Sequence, residues 1–227
     1  MTQENSLSLD TLKTFPLLGT LDEETLEELR RSIRIRALGK DEILLLAGEA
    51  SGQLYFVQSG WLKAEKVSRE GRQQTLRFIG PNEIINELAI FSQERSSVTV
   101  LAMEKATVFH LSQTVIEALL KNHPAFSRSV IHSLAKRVDH LLNLVENLSL
   151  FSVETRAARY LLSEGHEGVV KRPAWQTQSE MAAQLGTVLD VLNRVLQKFQ
   201  DQGIIHVQRE QITILDTDQL RKIASES

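Results

Sequence analysis

The residues best suited to binding chemistry lie on one face of a predicted helix near the C-terminal end. Apolar residues recur at helical spacing on its inner face: Val188, Leu192, Val195, Leu196 and Phe199. The outer face is left with Leu189, Asp190, Asn193, Arg194, Gln197 and Lys198. Charged and amide side chains on such a face are able to bond base edges and phosphates in the major groove of DNA.

A shorter helix is predicted just before it. The residues Thr177-Gln178-Ser179-Glu180 fit a capping box. In this motif the Thr177 hydroxyl accepts from the Glu180 backbone N–H, and the Glu180 side chain accepts from the Thr177 backbone N–H. Gly186 then suits a left-handed turn, because glycine has no Cβ to clash there. A short helix, a glycine turn and a longer helix with a polar face form the helix-turn-helix pattern.

Two β-rich runs, residues 204–207 and 211–215, follow after Gly203. With the polar turn Gln208-Arg209-Glu210 between them, they predict a wing beside the second helix. The alternative is a structural helix pair inside an unrelated α+β domain. Bulk charge counts against nucleic acid, because from Phe151 onward there are nine Lys and Arg against ten Asp and Glu. The DNA-binding prediction therefore depends on local geometry, where a few cations on one face can meet phosphates.

Three segments with different residue patterns precede the predicted helix-turn-helix. Residues 9–36 have helical spacing, interrupted by Pro16 and Gly19, and residues 38–111 are short apolar runs punctuated by glycines, which favours a small antiparallel barrel or jelly roll. After His123-Pro124 a helix is predicted to about residue 147. Its apolar residues at spacings of 4 and 3 suggest a dimer seam: Leu134, Val138, Leu141, Val145 and Leu148. The alternative is a helix packed on its own domain.

Length and composition exclude several classes of protein and of binding site. The chain has 227 residues, enough for two modest domains, and a net charge of −3. It contains no cysteine, which excludes disulfides, thiolate nucleophiles and cysteine-ligated iron–sulfur clusters. Neither a secretory signal nor a membrane span is predicted, and we expect the cytoplasm. No metal site is expected, because the six histidines show no metal-ligand spacing.

Several motifs in order along the chain carry a family resemblance. They are Gly60 after Tyr55-Phe56-Val57, Asn86-Glu87-Leu88-Ala89 followed by Arg95-Ser96, residues 148–162 and residues 180–205. On these residues the sequence resembles the Crp/Fnr family, the regulators related to the cyclic AMP receptor protein. The resemblance implies an α+β fold with a double-stranded β-helix (jelly-roll, cyclic-nucleotide-binding-like) sensor over residues 1–122. A dimerisation helix and hinge over 123–150 and a winged helix-turn-helix domain over 151–227 would follow.

The resemblance also implies an effector site in the β-roll. In cyclic-nucleotide-binding members Arg95 and Ser96 would meet the cyclic phosphate and Glu87 the ribose hydroxyl. The full candidate set is Asn86, Glu87, Leu88, Ala89, Arg95, Ser96, Arg137, Leu141 and Leu142. Two departures weaken the expectation: Asn86 replaces a glycine, and Leu141-Leu142 replace a hydroxyl pair. For Glu87 and Arg95 the alternative is a structural ion pair.

The effector is therefore cyclic AMP, another small molecule, or none. Haem, which some relatives bind through histidine, is not expected, because His110, His132 and His140 are not paired at metal spacing. An enzyme of the cupin type would need a histidine cluster in the barrel, where only His110 occurs. A further alternative is a cyclic-nucleotide-binding module that acts on a protein partner.

The second helix of the predicted helix-turn-helix also departs from the family pattern. Leu189 and Asp190 stand where arginine and glutamate are common, whereas Arg194 is retained; it would bind guanine or phosphate, and Asp190 would accept from cytosine. The candidate DNA contacts are Gln178, Ser179, Thr187, Leu189, Asp190, Asn193, Arg194 and Lys198. The implied partners are double-stranded DNA, a second copy of the chain and, for an activator, RNA polymerase, with no membrane and no catalysis.

Overall fold

The computed structural model describes residues 7–68, 70–71 and 73–225. The chain divides into two compact units. One holds the chain up to Lys66 together with Arg77–Asp139, and the other holds Val67–Leu76 and the chain from His140 onward. No helix within the described residues is both long enough and apolar enough to cross a membrane.

The first unit opens with helices α1 (Leu9–Lys13) and α2 (Glu23–Ser32), separated by a 3-10 turn at Leu18–Thr20. Ser8 and Asp22 cap the two helices by accepting from backbone N–H groups. The prediction of helix up to residue 36 is wrong at its end. Ile33 already has extended backbone, and a strand begins at Arg34, where Ile35 pairs with Phe109.

The predicted jelly roll is confirmed as two four-stranded sheets. The strands are β1 (Arg34–Leu38), β2 (Ile43–Leu45), β3 (Gln53–Ser59), β4 (Leu62–Val67), β5 (Gln73–Ile79), β6 (Ile84–Ile85), β7 (Thr99–Ala102) and β8 (Ala106–Ser112). The sheet orders are β1-β8-β3-β6 and β2-β7-β4-β5. Tyr55 and Val57 of β3 join the core between the sheets, whereas Leu54 and Phe56 join a core with the helices. Both faces of β3 are thus buried.

Three helices complete this part of the chain: α3 (Glu87–Ser92), α4 (Gln113–Asn122) and α5 (Pro124–Leu150). Phe126 and Val130 at the start of α5 are buried in the same core as an aromatic cluster in which Phe56 and Phe109 stack at 4.8 Å. Pro124 opens α5, as predicted, since a first-turn residue needs no intrahelical N–H bond. Helix α4 has no counterpart among the sequence predictions.

The second unit contains α6 (Val153–Glu164), β9 (Val169–Lys171), α7 (Gln178–Gln184), α8 (Leu189–Asp201), β10 (Ile205–Val207), β11 (Gln211–Ile214) and α9 (Thr217–Ala224). Its sheet has the order β10-β11-β9 and is antiparallel. One apolar core joins the helices to the sheet through residues such as Leu161, Phe199 and Ile212. The predicted winged helix-turn-helix is confirmed, and β9 and α9 are additions to it.

Candidate DNA interface and effector site

The first helix of the helix-turn-helix motif begins, and the turn after it forms, as the sequence predicts. The Thr177 hydroxyl accepts from the Glu180 N–H at 3.2 Å and caps α7. Gly186 has φ 64°. A Cβ on Gly186 would crowd Leu148 and lie 3.0 Å from Gln74 Oε1 and 3.1 Å from Arg156 Nη1. Glycine is therefore required here both by backbone conformation and by space.

Helix α8 is held by one apolar face. Leu192, Leu196 and Phe199 are buried and Val195 is partly buried. Val188 was predicted to face inward, and this is wrong: it is the N-cap residue with extended backbone, and its side chain is 63% exposed. The inner face therefore starts one turn later than its apolar pattern suggests.

The outer face of α8 is free of core contacts. Exposed residues along it include Leu189, Asp190, Asn193, Arg194 and Lys198. Ser179 is exposed at the first turn of α7, and Gln178 and Thr187 are half-buried. The candidate DNA contacts thus occupy the start of α7, the turn and the outer face of α8. Their contact with DNA stays a prediction.

Two of these side chains have neighbours that affect their chemistry. Arg194 makes only a long contact from Nε to the Asp190 carbonyl, at 3.4 Å, and is otherwise directed outward. Lys198 is bonded to both carboxylate oxygens of Glu154, at 2.7 and 2.8 Å. Lys198 must leave Glu154 to reach a phosphate, so Arg194 is the stronger candidate.

In the sensor unit, Asn86 and Glu87 stand at the start of α3 and are buried. Asn86 has φ 76°, a conformation that asparagine tolerates better than most residues, and its amide donates to the Gln53 carbonyl at 2.9 Å. The side chain that replaces a glycine is thus used to tie α3 to β3.

The Glu87 carboxylate lies between two arginines. Its Oε1 is 3.4 Å from Arg77 Nη2 on β5 and 3.9 Å from Arg137 Nε on α5. We call these three residues the buried charge triad. Burial, and after it the charge of Arg77, lower the pKa of Arg137 to about 10, while Glu87 opposes that shift. The alternative ion pair between Glu87 and Arg95 is wrong, since Glu87 has these other partners.

Arg95 and Ser96 also bond within the chain. The exposed Arg95 donates from Nη1 to the Gly48 carbonyl at 2.9 Å, and the buried Ser96 donates from Oγ to the Val98 carbonyl at 2.8 Å. Each of the two groups that would meet a cyclic phosphate thus donates to a backbone carbonyl. A nucleotide would have to displace the Ser96 bond and compete with Arg77 and Arg137 for Glu87, whereas Arg95 keeps further N–H donors.

The remaining effector candidates are apolar or small. Leu88 is 48% exposed, and Ala89 is half-buried next to it on α3. Leu141 is half-buried and Leu142 is 63% exposed on α5. Both leucines belong to the second unit. Their expected contact with an effector stays a prediction.

The histidines have separate surroundings. His110 on β8 lies beside Tyr55, with ring centroids 5.4 Å apart, and burial followed by the charges of Arg34 and Arg36 lowers its pKa. A ring nitrogen of His140 bonds the Leu76 carbonyl at 3.1 Å. Across the described residues no group of three histidine or carboxylate side chains is arranged to hold a metal ion.

Sequence reasoning missed Arg77 and the Lys198–Glu154 pair. Arg77 precedes Glu87 by ten residues, and Glu154 precedes Lys198 by 44. Neither spacing corresponds to a helical or strand neighbour, so only the fold brings these charges together.

Two family models match the chain. The model described as "Cyclic nucleotide-binding domain" matches residues 35–123, and the one described as "Crp-like helix-turn-helix domain" matches residues 155–223. They match in this order and together span more than two thirds of the chain. The chain belongs to the Crp/Fnr family of transcription regulators. It therefore combines a sensory domain of the cyclic-nucleotide-binding type with a helix-turn-helix DNA-binding domain.

Similar Crp/Fnr proteins span nearly the same length. The Haemophilus influenzae protein named anaerobic regulatory protein is 26% identical over 208 residues, covering 88% of this chain and 80% of that protein. The cyclic AMP receptor protein of Thermus thermophilus is 23% identical over 214 residues, covering 94% and 98%. These relatives are transcription regulators rather than enzymes.

The fold of FixK2 from Bradyrhizobium japonicum is also similar. Its structure superimposes with a TM-score of 0.74 at 18% identity and covers 86% of this chain and 98% of that one. A CooA mutant from Carboxydothermus hydrogenoformans gives 0.73 at 20% identity, covering 86% of this chain and 89% of that one. Identities this low establish the fold alone.

Proposed function

We propose that this Crp/Fnr regulator acts as a homodimer that places one α8 helix in each half of a palindromic DNA site. The observation that carries the proposal is the outer face of α8, where Arg194 and Asp190 are exposed beyond the Gly186 turn. Two-fold symmetry of the dimer predicts a palindrome, and two helices in major grooves on one face of the duplex need half-sites about one helical turn, ~34 Å, apart. Arg194 provides the donors suited to guanine or phosphate.

The dimer interface is proposed on α5. Its strongly exposed apolar residues include Ile131 (67%), Val138 (56%), Leu142 (63%) and Val145 (61%). With Ala135 they repeat at spacings of 4, 3, 4 and 3, as in a two-helix seam. Leu134 is partly buried against the sensor core. The proposed seam is thus rotated from the predicted one, in which Leu134 and Leu141 took part.

An effector in the β-roll is proposed to modulate DNA affinity. Two similar proteins carry cyclic AMP in their names, the receptor protein of Thermus thermophilus and a cAMP-activated global regulator of Mycobacterium tuberculosis. In this proposal residues 1–122 sense the effector, 123–150 pair the protomers and 151–227 bind DNA. The effector favours one arrangement of the dimer helices and thereby changes the population competent for DNA.

A second candidate, an effector-independent regulator, is favoured by the buried charge triad. Glu87 is paired with two arginines of the chain, Ser96 donates to the Val98 carbonyl, and Arg95 gives one of its donors to the Gly48 carbonyl. In that case the dimer binds DNA with the same affinity whether or not cyclic AMP is present. A module acting on a protein partner would leave the exposed face of α8 without a role.

The proposed partner, DNA, indicates the compartment in which the protein acts. We place the protein in the cytoplasm, where bacterial DNA is accessible, acting by binding and without a catalytic step. An activator of this kind would also contact RNA polymerase, a contact that the position of the DNA site relative to the promoter decides.

Selection of bound duplexes from a random DNA pool by the purified protein, with and without cyclic AMP, tests these proposals. Enrichment of a palindrome with half-sites about one turn apart supports the regulator. Enrichment only with cyclic AMP supports the nucleotide site, and equal enrichment in both arms supports effector independence. No enrichment in either arm, from protein that is folded and dimeric, contradicts DNA binding both by the ligand-free dimer and by its complex with cyclic AMP.

A further inference from the structure

Arg172 is a buried arginine that no sequence motif singled out. It directly follows β9 and is 8% exposed. Strand β9 pairs with β11, so that Lys171 stands opposite Gln211 at the edge of the wing turn. This register brings Arg172 next to residues 208–210, the turn that joins β10 to β11.

Arg172 bonds three successive carbonyls of that turn. Its Nη2 donates to the Gln208 carbonyl at 2.5 Å and to the Arg209 carbonyl at 2.9 Å. Its backbone N–H donates to the Glu210 carbonyl at 2.8 Å. Hydrogen bonds from a charged donor are the stronger kind, so the orientation of these peptides is fixed from one side.

The same orientation directs N–H groups of the turn to the side opposite Arg172. In a trans peptide the C=O and N–H groups point in opposite directions. Because the Gln208 and Arg209 carbonyls point at Arg172, the N–H groups of Arg209 and Glu210 point away from it. Successive N–H groups that face outward form a concave anion-binding surface.

We propose that Arg172 is a positioning residue for DNA binding, which turns the N–H groups of Arg209 and Glu210 toward a DNA phosphate. The inference rests on the proposed DNA-binding function and adds the wing tip as a phosphate contact. The exposed Arg209 side chain supplies a positive charge at the same tip. The exposed Glu210 carboxylate offsets part of that charge, so the backbone donors and the Arg209 side chain would bind the phosphate together. Arg172 itself is buried and acts through the wing.

The test is the affinity of the full-length protein for its selected duplex at several salt concentrations. Each phosphate that a Lys or Arg side chain, here Arg209, neutralises adds about 0.9 to the slope of log affinity against log salt. We expect Arg172→Met to bind about tenfold more weakly, equivalent to about 1.4 kcal/mol, and to lose roughly one such unit of slope. Arg172→Lys retains a charged donor and should recover part of both.

Arg159→Met is the matched control. Arg159 is also partly buried and donates to a backbone carbonyl, that of Ala224 at 2.9 Å, but this lies away from the wing. The control removes one positive charge from the same unit. Its affinity and salt slope should remain close to those of the unmodified protein.

A double-mutant cycle with Arg209→Ala separates a positioning role from a general loss of stability. If Arg172 acts through the wing, the two substitutions together weaken binding by less than the product of their separate effects. Should Arg172→Met fail to fold, the cycle is run with Arg172→Lys. Additive effects, or a slope unchanged in a folded Arg172 variant, overturn the inference. If the unmodified protein selects no duplex, it is the proposed function that fails.

Discussion

Removing the charge of Glu87 gives the sharpest test of the sensor site. Glu87→Gln keeps the volume of the side chain and leaves Arg77 and Arg137 facing each other without a carboxylate between them. Both arginine side chains are mostly buried, with 15% and 13% of their surface exposed. Burial and Arg77 already lower the pKa of Arg137 to about 10, and loss of Glu87 removes the first of the charges that counter this.

The size of the effect follows from the burial and the distances. Removing one partner of a fully buried ion pair costs about 3 to 5 kcal/mol, because the remaining charge is left uncompensated. Here the contacts are 3.4 and 3.9 Å, and the arginines keep some exposure, which lowers the cost. We expect Glu87→Gln to reduce the free energy of unfolding of the sensor unit by about 2 to 3 kcal/mol.

Urea unfolding, followed by circular dichroism and by tryptophan fluorescence, measures this difference. Glu83→Gln is the matched control, because Glu83 pairs with the same Arg77 at 3.4 Å but its side chain is 42% exposed. The control should lose less than about 1 kcal/mol, as exposed ion pairs do. A Glu87→Gln protein as stable as the control would refute the structural role of the buried charge triad.

Three further predictions concern the proposed dimer seam, the left-handed glycines and the buried Tyr160. Val138→Glu places a charge in the proposed seam of α5, and sedimentation equilibrium should show monomer in place of dimer; an unchanged dimer contradicts the seam. Gly186→Ala and Gly203→Ala both meet left-handed backbone, at φ 64° and 71°, but only Gly186 is crowded. Urea unfolding should show about 1 kcal/mol lost at Gly203 and clearly more at Gly186; equal losses would show that crowding has no effect. Burial raises the pKa of Tyr160 from 10.0 to about 12, so its contribution to stability is present below pH 10 and is lost as pH rises through 12. In a Tyr55→Phe background, phenolate absorbance of the folded protein should have its midpoint near 12, and a midpoint near 10 would contradict burial of Tyr160.

The sequence predicts those features of the fold that local chemistry determines. Thr177 caps α7 and Gly186 turns the chain because hydroxyl acceptors and left-handed backbone are properties of single residues. The helical reading of residues 33–36 fails because pairing of β1 with β8 overrides the local apolar spacing. The prediction that Val188 faces inward is wrong because the helix begins after this residue and leaves its side chain exposed.

The site was predictable only in part. The outer face of α8 follows from helical spacing, and the motif at Glu87 follows from resemblance to the family. The partners of Glu87 do not, because β5 and α5 reach it only in the folded sensor. The role of Arg172 depends on carbonyl groups, which every residue has, so no pattern of side chains marks it.

Arg194 is the residue through which α8 is proposed to read DNA sequence. The most direct test of this role is the affinity of Arg194→Ala for the selected palindrome and for duplexes changed at single base pairs. Gln197→Ala serves as control, since Gln197 lies on the same helix and bonds Asp201 at 2.8 Å. Arg194→Ala should lose about 1 to 3 kcal/mol of binding free energy and no longer discriminate one base pair in each half-site, while the control binds normally. Equal affinity and equal base preference in the Arg194→Ala, Gln197→Ala and unmodified proteins would contradict this role.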